Sequence, residues 1–136
     1  MSLASIVVWL AGATFILYGF AFAIQPHDMA YLTTGLEPDT VSGLVDIRAT
    51  YGGTTIAVGI IIIYLKQRVS VQHSLLVVWL VLLCMAITRG MGFILDGQTN
   101  ALMYLYFAAE ILGAALAMWA AKSERLSRSG TAPGNA

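Results

Sequence analysis

The chain has 136 residues, 59% of them hydrophobic and 10% charged, against about 25% charged in an ordinary soluble domain. Seven Lys/Arg balance seven Asp/Glu, so the sequence carries no basic footprint for nucleic acid. The lone cysteine, Cys84, excludes an intrachain disulfide and a cysteine-paired zinc site. A single integral membrane domain is expected.

The first apolar run is Leu3 to Ile24. A helix needs roughly 20 apolar residues to cross a ~30 Å hydrocarbon layer, and this run is long enough. Ala21-Phe22-Ala23 resembles a signal-peptide cleavage site. However, residues 1–5 hold no Lys or Arg, and the run exceeds the roughly 7–15-residue core of a signal peptide. The reading is a retained span. Gln25 to Thr40 is polar and broken by Pro26, Gly35 and Pro38. Its middle, Asp28 to Leu32, is expected to form a short helix on the membrane interface, and Asp39 or Thr40 to cap the next span. That second span is predicted over 41–65, and Lys66 to Ser74 as a polar loop. The third is predicted over 75–95, with a tight turn at Asp96-Gly97-Gln98-Thr99-Asn100. The fourth is predicted over 101–121, followed by a polar tail, 122–136, disordered at its end. Cys84 is expected to pack as a small inert hydrophobe. The fold class is therefore all-α, a four-helix transmembrane bundle.

Cations orient it. Lys66 and Arg68 lie between spans two and three, and Lys122, Arg125 and Arg128 follow span four. The opposite loops carry Asp28, Glu37, Asp39 and Asp96 and no Lys or Arg. Lysine and arginine favour the cytoplasmic side, which predicts both termini inside. Trp9, Tyr64, Trp79 and Trp119 then fall toward the inner ends, and Tyr31, Tyr104 and Tyr106 toward the outer ones, as in an aromatic belt.

Ionisable residues inside spans are costly and are functional candidates by default. Asp46 and Arg48 head span two, Arg89 lies late in span three and Glu110 lies within span four. At 1.5 Å per residue, Arg48, Arg89 and Glu110 sit roughly 9 to 14 Å below the outer boundary, with Asp46 shallower and Asp96 at the surface. Each is flanked on its own helical face by small residues: Arg48/Gly52/Thr55/Gly59, Met85/Arg89/Gly92/Asp96 and Tyr106/Glu110/Gly113/Ala117. Ala49/Gly53/Ala57 and Ala109/Gly113/Ala117 add small-xxx-small patterns, which let helices approach. The expected site is a polar pocket between spans two, three and four. In it Arg48 or Arg89 pairs with Glu110, because a guanidinium fork suits bidentate carboxylate pairing. Asp46 and Asp96 lie nearer the surface as further partners. Two arginines against one deep carboxylate leave cationic capacity for an anionic or polar guest. The competing reading is a network that only fixes helix register.

Other features weigh less. His27 and His73 fall on opposite sides and cannot share a metal, and both are read as solvated loop residues. Gly90-Met91-Gly92 lacks the rest of a dinucleotide fingerprint. Tyr51, Tyr104 and Tyr106 read as interfacial or packing residues. No metal site, haem pair, nucleotide loop or Ser/His/Asp set is present, so no cofactor and no reaction are expected. Acid/base use of Glu110 or Asp46 is the enzymatic alternative.

The element Asp46-Ile47-Arg48-Ala49-Thr50-Tyr51-Gly52-Gly53, then Arg89 with Asp96-Gly97, then Glu110, resembles the bacterial domain-of-unknown-function family 4345. These are small four-helix membrane proteins with an Arg-Ala-x-Tyr-Gly-Gly-like element. The resemblance runs from about residue 5 to residue 121. It implies an inner-membrane bundle with Arg48, Tyr51, Gly52, Gly53, Arg89, Asp96, Gly97 and Glu110 as signature positions, and it supplies no substrate. A looser similarity to DoxX-like proteins implies no redox chemistry.

The leading functional expectation is an inner-membrane protein that binds a small polar or amphipathic molecule or lipid in an outer-leaflet pocket. One alternative is an accessory or assembly subunit docking a membrane partner or a second copy. The other is a proton-coupled dimeric exporter with Glu110 titrating.

Overall fold

The computed structural model describes residues 2–129 and side chains as far as Ser127. The expected disorder of the tail's end, 130–136, and the side chain of Arg128 lie outside the described residues. Four helices are long and apolar enough to cross a membrane: span one (Leu3–Ile24), span two (Val41–Arg68), span three (Val71–Leu95) and span four, part of the helix Ala101–Ser129. No strand occurs among the described residues. This is the make-up of a multi-pass membrane protein.

Local chemistry sets the helix ends. Thr40 caps span two, its hydroxyl accepting from Gly43 N at 3.0 Å, which satisfies one of the orphan donors of a first turn. Between spans one and two a short helix, Pro26–Thr34, starts on proline and stops at Gly35 with φ 74°, the left-handed stop that glycine permits. It is longer than the expected Asp28–Leu32. Asn100 ties it to span four by donating to Thr33 O at 3.2 Å.

Two expectations change at the other end of the bundle. The loop predicted over Lys66 to Ser74 shrinks to Val69 and Ser70, because span two continues to Arg68 and Ser70 caps span three by accepting from His73 N. His73 therefore sits in a first helical turn, not in a loop. The last helix likewise runs beyond residue 121 to Ser129. Hydropathy marks where hydrocarbon ends, whereas a helix continues while its polar residues can face water. A third correction concerns Cys84, which is exposed on the outside of the bundle and not packed within it.

Spans one and two form one close pair, and spans three and four another. The first pair meets through facing glycines. A Cβ on Gly59 would lie 2.7 Å from Gly12 O, and one on Gly19 would lie 2.7 Å from Gly52 O. Without side chains there, the two backbones approach as small residues allow in bilayers. Between the pairs, Val7, Val8, Ile62, Leu75, Val78 and Ala117 make an apolar core toward the chain's N-terminal end. Phe22, Ala30 and Ile47 make a smaller one at the opposite end.

The ends differ in charge. Lys66, Arg68, Lys122 and Arg125 gather at the end where Lys66 lies over the Trp9 ring at 5.2 Å and Gln72 donates to Ala121 O at 3.0 Å. Asp28, Glu37, Asp39, Asp46 and Asp96 belong to the other. We refer to these as the basic and acidic ends.

Candidate functional site

Arg89 and Glu110 meet. Both arise from apolar helices whose crossing is kept close by Gly113, where a Cβ would lie 2.7 Å from Leu82 Cδ1. Arg89 Nε donates to Glu110 Oε2 at 3.0 Å and Oε1 at 3.2 Å, and Nη2 donates to Oε1 at 2.6 Å. This is a side-on bidentate pair, the strong form of carboxylate recognition. The Glu110 side chain is 6% exposed and that of Arg89 is 20% exposed, so the acid is enclosed and the base reaches outward from it. Nη1 donates to Met103 Sδ at 2.9 Å, and the guanidinium carbon stands 5.4 Å from the Tyr106 ring centre. A guanidinium has five N–H donors. These contacts engage three, and the remaining two have no acceptor among the described residues.

The pair closes one end of a groove of about 370 Å³. Its walls are span one (Val7, Leu10, Ala11, Thr14, Phe15, Tyr18), span three (Val78, Leu82, Met85, Arg89) and span four (Tyr106, Ala109, Glu110, Gly113, Leu116). From Tyr106 to Leu116 it runs roughly 15 Å at 1.5 Å per residue, about half the thickness of a hydrocarbon core. Tyr18 stands edge-on to Tyr106, with ring centres 6.3 Å apart, and brings a second hydroxyl to the polar end. The arrangement is amphipathic: a long apolar trough ending in a guanidinium, a carboxylate and two phenols.

The expected pocket between spans two, three and four is corrected on this point, since span one supplies the wall assigned to span two. The charges of span two do not reach Glu110. Arg48 is exposed and turns to span one, where Nη1 donates to the carbonyls of Ala23 and Ile24. Those carbonyls are the last of a helix and lack intrahelical partners, so the cation both satisfies them and opposes the negative end of the helix dipole. Asp46 is exposed and accepts from the Thr50 hydroxyl at 3.3 Å. Asp96 and Gly97 form the stop of span three, Asp96 N donating to Gly92 O at 2.8 Å and Gly97 at φ 92°. Neither aspartate joins the pair.

Residues Arg48–Gly53 form a π-helical segment inside span two, the wide turn often found where a helix is adapted to a special contact. It lets Tyr51 stack on Phe22, with ring centres 5.3 Å apart and planes at 22°, while Gly52 is buried against Ala23, whose N and Cα a Cβ would meet at 3.0 and 3.1 Å. Gly53 is exposed, and so are Ala49 and Ala57. That small-xxx-small face therefore points away from the bundle, contrary to expectation. Gly113 and Ala117 do face inward.

Sequence reasoning missed Tyr18, Thr14 and Met103. Thr14 and Tyr18 share a face with Val7 and Ala11, and two polar side chains at helical spacing in the charge-free first span were the available signal. Met103 gave none.

The sequence profile of the family described as "Domain of unknown function (DUF4345)" matches residues 3–121. No curated protein and no solved structure matches the chain.

Proposed function

We propose that this chain, which belongs to the DUF4345 family, is a binding protein of the bacterial inner membrane. It takes a polar-headed amphipathic molecule or lipid into the groove between spans one, three and four. The single observation that carries the reading is the groove's composition: an apolar trough of about 370 Å³ that ends on the Arg89–Glu110 pair. A pair that served only to fix helix register would be expected to use its donors internally. Here two guanidinium N–H groups have no acceptor among the described residues, on a side chain that lines a space long enough for an alkyl chain. An anionic or strongly polar head group would complete them, and the tail would replace lipid against Leu10, Phe15, Leu82 and Leu116. The clustering of cations at the basic end supports an orientation with both termini in the cytoplasm, which sets the Arg89 end of the groove in the outer leaflet.

Native mass spectrometry of protein extracted in mild detergent tests this. The wild type should carry a bound amphiphile of discrete mass. Thr14→Phe, which fills the trough from span one, should lose it while keeping its thermal stability, and Arg89→Ala should lose it as well. A wild type that retains nothing, together with Arg89→Ala and Glu110→Gln variants that unfold, would leave only a register role for the pair.

A second reading, an assembly subunit, draws on the outward Ala49/Gly53/Ala57 face of span two, where a lipid-facing surface would carry Leu, Ile and Val. A stoichiometric partner in mild detergent, lost in Gly53→Leu, supports it. A clean monomer argues against it.

A further inference from the structure

We propose a second and separate site, for an anionic membrane lipid, in a groove of about 220 Å³ between spans three and four at the basic end. Leu75, Leu76, Trp79 and Met118 form its apolar floor, and Gln72 and Arg125 lie at its polar rim with His73. Arg125 is exposed and has no ion-pair partner among the described residues. Gln72 is held in place by its bond to Ala121 O, which uses one of its two amide N–H groups and leaves the other for an acceptor. His73 is held by Ser70, with Oγ and Nδ1 2.7 Å apart.

Charge complementarity names the occupant. Lys66, Arg68, Lys122 and Arg125 surround this end, and the acidic residue beside them is Glu124, whereas five carboxylates stand at the acidic end. A zwitterionic lipid gains little from such an asymmetry. A lipid with a net negative phosphate head gains about 1 kcal/mol from Arg125, the cation that lines the groove, or roughly fivefold in occupancy. Its chain would lie on Trp79 and Met118 while its phosphate meets Arg125 and Gln72. Basic pockets between spans are the sequence-readable form of such recognition. This site shares no lining residue with the Arg89–Glu110 groove and stands or falls independently of it.

The test uses Trp79 as reporter. The full chain carrying Trp9→Phe and Trp119→Phe is reconstituted in phosphatidylcholine vesicles holding a minor fraction of chain-brominated lipid. Brominated phosphatidylglycerol should be enriched about fivefold over brominated phosphatidylcholine in quenching Trp79. Arg125→Gln should abolish the difference. Arg68→Gln, which removes a cation of the same end outside the groove, should leave it. Equal quenching by the two lipids overturns the site, and so does an equal loss in the Arg125 and Arg68 variants, which would mean general surface attraction without a pocket.

Discussion

The two sides of span one make an instructive contrast. Toward span two it offers Gly12 and Gly19, and the helices close until backbone meets backbone. Toward span four it offers Ala11, Thr14 and Tyr18, and the helices stand apart around a groove. Each side has an arginine, with opposite employment. Arg48 finishes a helix end by donating to carbonyls, while Arg89 is committed to a buried carboxylate and keeps donors to spare. The two arginines thus differ in level as well as in partner: Arg48 meets the last carbonyls of span one, while Arg89 holds its carboxylate near the level of Tyr18.

The largest effect that would break this contrast concerns the buried pair. Removing one partner by Glu110→Ala leaves the other charge enclosed and should cost about 3–5 kcal/mol, read by denaturation in detergent. Replacing both, as Arg89→Met with Glu110→Leu, should restore most of that stability but not the bound amphiphile. Stability and retention would then part company.

On the closed side, Gly59→Val forces atoms into the Gly12 backbone and should cost about 1–3 kcal/mol. Gly53→Ala six residues earlier, where the nearest atom to a Cβ is 4.0 Å distant, should change stability by less than about 0.5 kcal/mol. Both variants, where folded, should keep the amphiphile.

The smallest effect sharpens the division between the arginines. Arg48→Gln should cost about 1 kcal/mol through the loss of a helix-end cation. Combined with Glu110→Gln it should be additive within about 0.5 kcal/mol, as expected for sites without shared partners. A larger coupling energy would return Arg48 to the Glu110 network.

Much of this was legible in the residues. Four apolar runs with breakers between them read directly as four spans, because hydrocarbon thickness imposes length. Met85/Arg89 and Tyr106/Glu110/Gly113 were correctly placed on inward faces, since a charge in a bilayer has to find its opposite. Depth alone, however, did not say which neighbour a face meets. Residue counting gives Arg48 and Arg89 the same depth, yet Arg48 turns to the end of span one, since nothing in a single sequence states which helices are adjacent around the bundle. Ala49, Gly53 and Ala57 stay on one face, but it is an exposed one beside the buried Gly52 and Gly59, and small size alone does not say whether a stripe meets a neighbour. Polar helix ends escaped for a different reason. Val71 to Ser74 and Lys122 to Ser129 are helical outside the hydrophobic window, where composition marks solvent and not backbone conformation.

The central claim, that the open side of span one holds a specific guest while the closed side is structural, is tested most directly by photo-crosslinking in native membranes. A photoreactive residue is placed either at Ala109, in the groove, or at Ala57, on the outer face of span two. The account predicts one adduct of discrete mass at 109, lost when Arg89→Ala is added, and a spread of bulk lipids at 57. The same bulk lipid mixture at both positions would contradict it.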